Sequence, residues 1–241
     1  MTKEKKIKLL IRILAYVIGI FFVAWGVAFA VSSELGVSPA TSSSILLHMA
    51  TKFPLQYCII GIYSVCILLQ LILLRKNFKW YNVFQLVFAI LFGYMTDFTK
   101  DVLAGFCFPG YAGKLLMILI SLVLIAFGIM LYVRASLVPM PMEGLAVAIA
   151  KVQNKFKFHH TKIFVYCTSV TIAIIISFIG FGKLVGVREG TIIIAVLVGT
   201  LVKYMQIPFE KFFAWLLSSS DDKKANELAP VEEKTSSAKE N

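Results

Sequence analysis

Six apolar runs, at residues 9–31, 57–74, 80–98, 115–133, 163–182 and 190–205, dominate the chain. A bilayer core of about 30 Å, crossed at about 1.5 Å per residue, asks for roughly 20 apolar residues. Each run is close to that length. In hydrocarbon a segment must satisfy its own backbone hydrogen bonds, which leaves helices or a closed barrel, and runs this continuous select helices. The composition agrees: 59% of the 241 residues are apolar and 15% are charged, against about 25% charged in soluble domains. The expected fold is an all-α polytopic membrane protein with about six transmembrane helices.

Two further apolar stretches, 44–50 and 144–150, are too short to cross. Their surroundings repeat. Gly26-Val-Ala-Phe-Ala-Val31 followed by Leu35-Gly-Val-Ser-Pro39 matches Gly128-Ile-Met-Leu-Tyr-Val133 followed by Leu137-Val-Pro-Met-Pro141, at a constant offset of 102. Gly93 and Gly199 correspond at an offset of 106, each in the third crossing of its half. Each half therefore reads as crossing, short broken segment, crossing, crossing. Three crossings are an odd number, so the second copy inserts upside down. Inverted 3+3 repeats with Pro-interrupted segments at matching positions are the architecture of many secondary transporters. Broken helices at membrane depth are tolerated only inside protein; the plainer alternative is two interfacial helices lying flat. The organisation that follows is a basic N-terminus at 1–8, a first repeat at 9–108, a second at 113–217, and a Ser-, Lys- and Glu-rich tail at 218–241 expected to be disordered.

Of the formal charge of +11, the tail contributes −2 (four Lys against six acids), leaving +13 on the membrane part. These charges sit in short loops, where the bias of Lys and Arg toward the cytoplasm accounts for them without nucleic acid. With the short segments not crossing, one side receives thirteen Lys and Arg and the other five. That places both termini in the cytoplasm, and the expected partners are the lipid bilayer and an unknown small solute. The N-terminal run could pass for a cleavable leader, but its pattern recurs mid-chain, so it reads as a first crossing. The glycines of the crossings suit packing within one chain or between two copies, so a homo-oligomer stays open.

No Walker A loop, HExxH or GxSxG is present, and the four cysteines lack metal spacing. Enzymatic activity, a cofactor and a metal are not expected. Polar groups inside the membrane are costly and so call for a reason. Glu143, after Pro141 and before Gly144, stands in the first turn of the second short segment, where the positive end of the helix dipole favours it. It can bind a proton, a cation or an amine, or it can simply cap. Thr41, Ser42 and Ser43 after Pro39 occupy the matching place, as caps or as ligand contacts. Arg188, Glu189 and Gly190 open the sixth crossing as a gate or a structural corner. Asp97 lies in the third, where a direct pair with Lys203 is doubtful. Arg134 reads as a snorkelling charge, Glu34 as solvated, Gln85 as a bond between helices or a cavity lining, and His159-His160 as part of a polar loop.

Leu35-Gly-Val-Ser-Pro39, Pro141-Met-Glu-Gly144 and Val187-Arg-Glu-Gly-Thr-Ile192, in that order, resemble the YczE/YyaS/YitT group of bacterial integral membrane proteins over roughly residues 9–212. The resemblance implies a bacterial inner-membrane protein. This chain departs from the group's usual pattern at Val138-Pro139-Met140, where commoner members carry a glycine between leucine and proline. The function expected from the architecture is a secondary transporter or exporter of a small solute, working between 39–44 and 141–144. The alternative is a non-transporting accessory protein for a secretion, biosynthetic or signalling partner.

Overall fold

The computed structural model describes residues 3–75, 78, 80–153 and 158–217. Every regular element there is helical: α1 (Lys3–Ser33), α2 (Ser42–Thr51), α3 (Leu55–Leu74), α4 (Phe84–Val102), α5 (Gly110–Ala135), α6 (Pro141–Gln153), α7 (Phe158–Phe181) and α8 (Glu189–Leu217). Five of them, α1, α3, α5, α7 and α8, are long and apolar enough to cross a membrane. The chain is a multi-pass membrane protein. Its tail lies outside the described residues.

The third expected crossing is displaced. Residues 80–83 form a short 3-10 turn, and α4 begins at Phe84. Its 19 residues span about 28 Å, but Asp97, Lys100 and Asp101 gather near its end, and these charges keep it out of the apolar set. It is held instead by protein on two sides, packing on α1 and on α3.

The centre of the molecule is the crossing of α1 with α5. A methyl group added at Gly26 would lie 2.9 Å from Ile125 N and 2.9 Å from Ser121 O; one added at Gly128 would lie 2.8 Å from Val23 N and 2.5 Å from Gly19 O. Subtracting 102 turns Ser121 into Gly19 and Ile125 into Val23, so the two contacts are one contact seen twice. Residue numbers fall on one helix as they rise on the other, so the helices are antiparallel. The copies are therefore inverted. The exits of the two helices match as well: Glu34 (φ 58°) and Ser136 (φ 50°) are both left-handed, and each N–H returns to the carbonyl three residues back, Val31 or Val133, at 3.1 Å. A left-handed residue other than glycine is uncommon, so the match at the repeat spacing is informative.

The remaining packing comes mostly in matched pairs. α1 holds α4 as α5 holds α8, and each short helix packs on the long helix that follows it. Each short helix also crosses to the other half, α2 to α7 and α6 to α3. The halves are interleaved rather than set side by side.

Burial decides between broken and interfacial helices. A helix lying flat on a membrane buries one stripe along its whole length. Here residues 41–46 and 141–146 are buried throughout, whereas the far ends of α2 and α6 are mostly half-buried or exposed. Burial changes along the axis, not around it, so both N-termini sit inside protein.

Candidate functional site

Glu143 is buried at the first turn of α6. Pro141 opens that helix, its missing N–H costing nothing where no intrahelical acceptor exists. The Tyr132 hydroxyl, from the last two turns of α5, donates to Glu143 Oε1 at 2.8 Å. Lys162 Nζ, from the first turns of α7, stands 3.6 Å from the same oxygen and 5.6 Å above the Tyr166 ring. A helix N-terminus, a phenol and an ammonium thus converge on one buried carboxyl group.

Tyr16 closes the site from α1. Its hydroxyl donates to Val138 O at 2.9 Å and its ring meets the Tyr132 edge with centroids 5.8 Å apart. One turn earlier, Arg12 donates from Nε to Ala135 O (2.8 Å) and from Nη2 to Ser136 O (2.7 Å), occupying the free carbonyls at the end of α5. The linker from α5 to α6 is thus tied to α1. Beside it a cavity of about 40 Å³ is lined by Tyr132, Val133, Ser136, Leu137, Val138, Pro139 and Glu143. A water needs roughly 10–15 Å³ by this measure, so the cavity takes a few waters or one small ion next to the carboxylate.

Gly144 follows Glu143 because α3 and α4 come close there. A methyl group on it would lie 2.8 Å from Gln70 Oε1 and 2.8 Å from Gln85 Nε2. The two buried glutamines donate to each other at 3.0 and 3.2 Å, and Gln70 Nε2 also reaches Pro141 O at 3.1 Å. In the first half the same carbonyl is served differently. Ser42 Oγ donates to Pro39 O at 3.0 Å and contacts Ser169 of α7 at 3.2 Å, while Ser43 Oγ meets Ser169 at 3.1 Å. Thr41 Oγ1 donates back to Ser38 O rather than capping the helix, and Ser44 Oγ is buried with no hydrogen-bond partner among the described residues. The two N-termini therefore flank one stretch of α7, Lys162 and Tyr166 against Glu143 and Ser169 against the serines.

Of the residues expected at the site, Pro39, Thr41, Ser42, Ser43, Pro141, Glu143 and Gly144 sit at the starts of α2 and α6, the two helices that each pack against α7 and α3. The expected gating residues do not join them. Gly190 packs at the lead-in to α2, its N–H bonded to Leu35 O at 3.0 Å, and Thr191 Oγ1 accepts from Val37 N at 3.0 Å. This is a structural corner, with Arg188 and Glu189 exposed beside it. Asp97 pairs with Lys100 on its own helix at 2.9 Å, away from Glu143. Arg134 does more than snorkel: it donates to Gln206 of α8 at 2.9 Å. Glu34, though exposed, pairs with Lys114, which holds its carboxyl below the ordinary carboxylate range. His159 and His160 belong to the first turn of α7, not to a loop, and no group of three or more metal-ligating side chains occurs among the described residues.

Sequence reasoning missed Tyr132, Lys162, Tyr166, Tyr16, Gln70 and Ser169. A signal for the tyrosines existed: a phenol inside an apolar run must find an acceptor when buried. Lys162 precedes the apolar run of α7, so in sequence it reads as a loop charge.

Residues 10–207 match the model of a family of unknown function (DUF6198), and the chain belongs to that family. No curated protein and no solved structure matches it.

Proposed function

We propose that this member of the family is a secondary transporter that moves a small solute by alternating access between its two halves, with Glu143 as the acidic centre that binds a proton, a cation or an amine group. The observation that carries the reading is the burial of both broken-helix N-termini against the long helices of the opposite half. Unsatisfied helix ends inside a membrane protein are the recurrent site of substrate and coupling-ion binding in inverted-repeat transporters, and a buried carboxylate there has a functional reading by default. The cavity beside Glu143 admits waters or an ion but no organic solute, so a larger cargo requires the halves to move. The resemblance to the YczE/YyaS/YitT group, and thirteen Lys and Arg against five, favour a bacterial inner membrane with both termini in the cytoplasm.

The test is thiol accessibility over 37–49 and 139–150 in a version freed of the four native cysteines. Impermeant reagents are applied from each side of the membrane in turn. Labelling of the same buried positions from both sides is the expected result. Labelling from one side only would remove the transporter reading and leave the accessory-protein alternative.

A further inference from the structure

One packing contact breaks the match between the halves more than any other. α4 lies along α3, and Gly93 lets it approach: a methyl group there would lie 3.0 Å from Gln56 O and 3.3 Å from Ile60 Cγ1. α8 holds the place of α4, and Gly199 that of Gly93. Yet α7 and α8 do not pack along their length among the described residues, and nothing stands within 4 Å of where a Gly199 methyl would be.

The uncovered faces belong together. Aligning Tyr63 with Tyr166 and Cys66 with Ser169 at an offset of 103 pairs residues that play the same part: Cys66 touches Met142 of α6 and Ser169 touches Ser42 of α2. On that alignment Ile60 corresponds to Ile163 and Ser64 to Cys167. Ile60 and Ser64 are half-buried under α4, whereas Ile163 and Cys167 are exposed. On α8 the open face runs through Val196, Gly199, Thr200, Lys203 and Tyr204, all exposed. Gly199, Thr200 and Lys203 make poor permanent neighbours for lipid, and a lysine inside a crossing is costly when only hydrocarbon surrounds it.

We infer that in a second conformational state α8 closes onto α7 through its Gly199 face, making in the second half the contact that α4 and α3 make now, while that contact opens. The inference rests on the alternating-access reading and specifies its moving surface. Because the halves are inverted copies, exchanging their largest packing difference opens the region between the two short helices toward the opposite side of the membrane. Near-symmetry keeps the two states close in energy, which is the condition for a bistable element. The α1–α5 crossing, symmetric already, is the part that stays still.

The test uses the full chain without native cysteines, reconstituted in liposomes and linked by brief thiol oxidation. The pair Gly93→Cys with Ile60→Cys should link readily from the present state. The pair Gly199→Cys with Ile163→Cys should also link within one chain. That second link should then cut labelling of Leu137→Cys, at the cavity, at least fivefold and raise labelling of Leu35→Cys, its buried counterpart, by a similar factor. A second variant needs no cross-link: Gly199→Leu should leave thermal stability unchanged, because the position is open, and abolish Leu35→Cys labelling. Failure of the 199–163 pair to link while 93–60 links would overturn the inference, as would a 199–163 link found only between two chains. The transporter reading fails separately, if the broken segments label from one side in every version.

Discussion

The two short helices occupy equivalent places and carry opposite chemistry. α2 begins with Thr41 and three serines and offers neutral hydroxyls near its positive end; α6 begins with a proline, a buried carboxylate and a glycine. Their different neighbours follow from this. Where α2 brings its own hydroxyl to the Pro39 carbonyl, α6 has only Gly144, and Gln70 arrives from α3 to serve Pro141 instead. A duplicated frame has kept its backbone and divided its side-chain roles. One end carries a carboxyl group and the other only hydroxyls.

The comparison is broken most severely at the shared axis. Gly26→Leu and Gly128→Leu each force a side chain onto the backbone of the facing helix, beyond the usual overpacking cost of about 1–3 kcal/mol. Neither variant should yield a monodisperse protein in size-exclusion chromatography. A large difference between the two would contradict the symmetry of the crossing.

Next comes the acidic end. Tyr132→Phe leaves Glu143 buried without its phenol donor, at a cost of about 1–3 kcal/mol. Glu143→Gln should restore much of that loss in the double variant, because a neutral amide tolerates burial better than a carboxylate. The readout is the thermal unfolding midpoint; an unrestored double variant would show that charge is not what makes the site expensive.

The hydroxyl end should respond more weakly. Gln70→Leu, on the α6 side, removes bonds to Gln85 and to Pro141 O, and Ser169→Ala, on the α2 side, removes the bridge to Ser42 and Ser43. Single hydrogen bonds between helices in membranes average about 0.6 kcal/mol, with a maximum near 1.7. Gln70→Leu belongs near the upper figure and Ser169→Ala near the lower, and equal midpoint shifts would deny the division of roles.

The smallest effect is at the surface. With its carboxyl held below the ordinary range by Lys114, Glu34 contributes stability that is present above the normal carboxylate pKa and lost as pH falls through the lowered value. Glu34→Gln should therefore shift the midpoint slightly at neutral pH and not at all in strong acid. A difference that grows on acidification would show the sign to be wrong.

The frame was legible because lipid imposes it. Apolar runs, the 102-residue spacing and the paired Pro39 and Pro141 each leave a mark in one dimension. The start of α4 was not legible: Trp80 and Val83 extend the apolar run in composition, but the chain there forms a 3-10 turn before Phe84. Half of the site was readable from Glu143 and the serines, whose place at the start of short segments gives them away. The other half comes from inverted interleaving. Ser169 and Gln70 are ordinary polar residues until α2 meets α7 and α6 meets α3, and nothing local in the sequence announces those meetings.

That interleaving has a consequence for how the chain is made. Ser42 and its partner Ser169 are 127 residues apart, and at a synthesis rate of roughly 5–20 residues per second α7 emerges about 6–25 s after α2. Throughout that interval a short, serine-headed helix has no native neighbour from the second half to shelter its N-terminus. The first half is born unfinished, so its insertion depends on a host that tolerates exposed polar groups, whether the insertion machinery or water at the membrane surface, until the second half arrives to cover them.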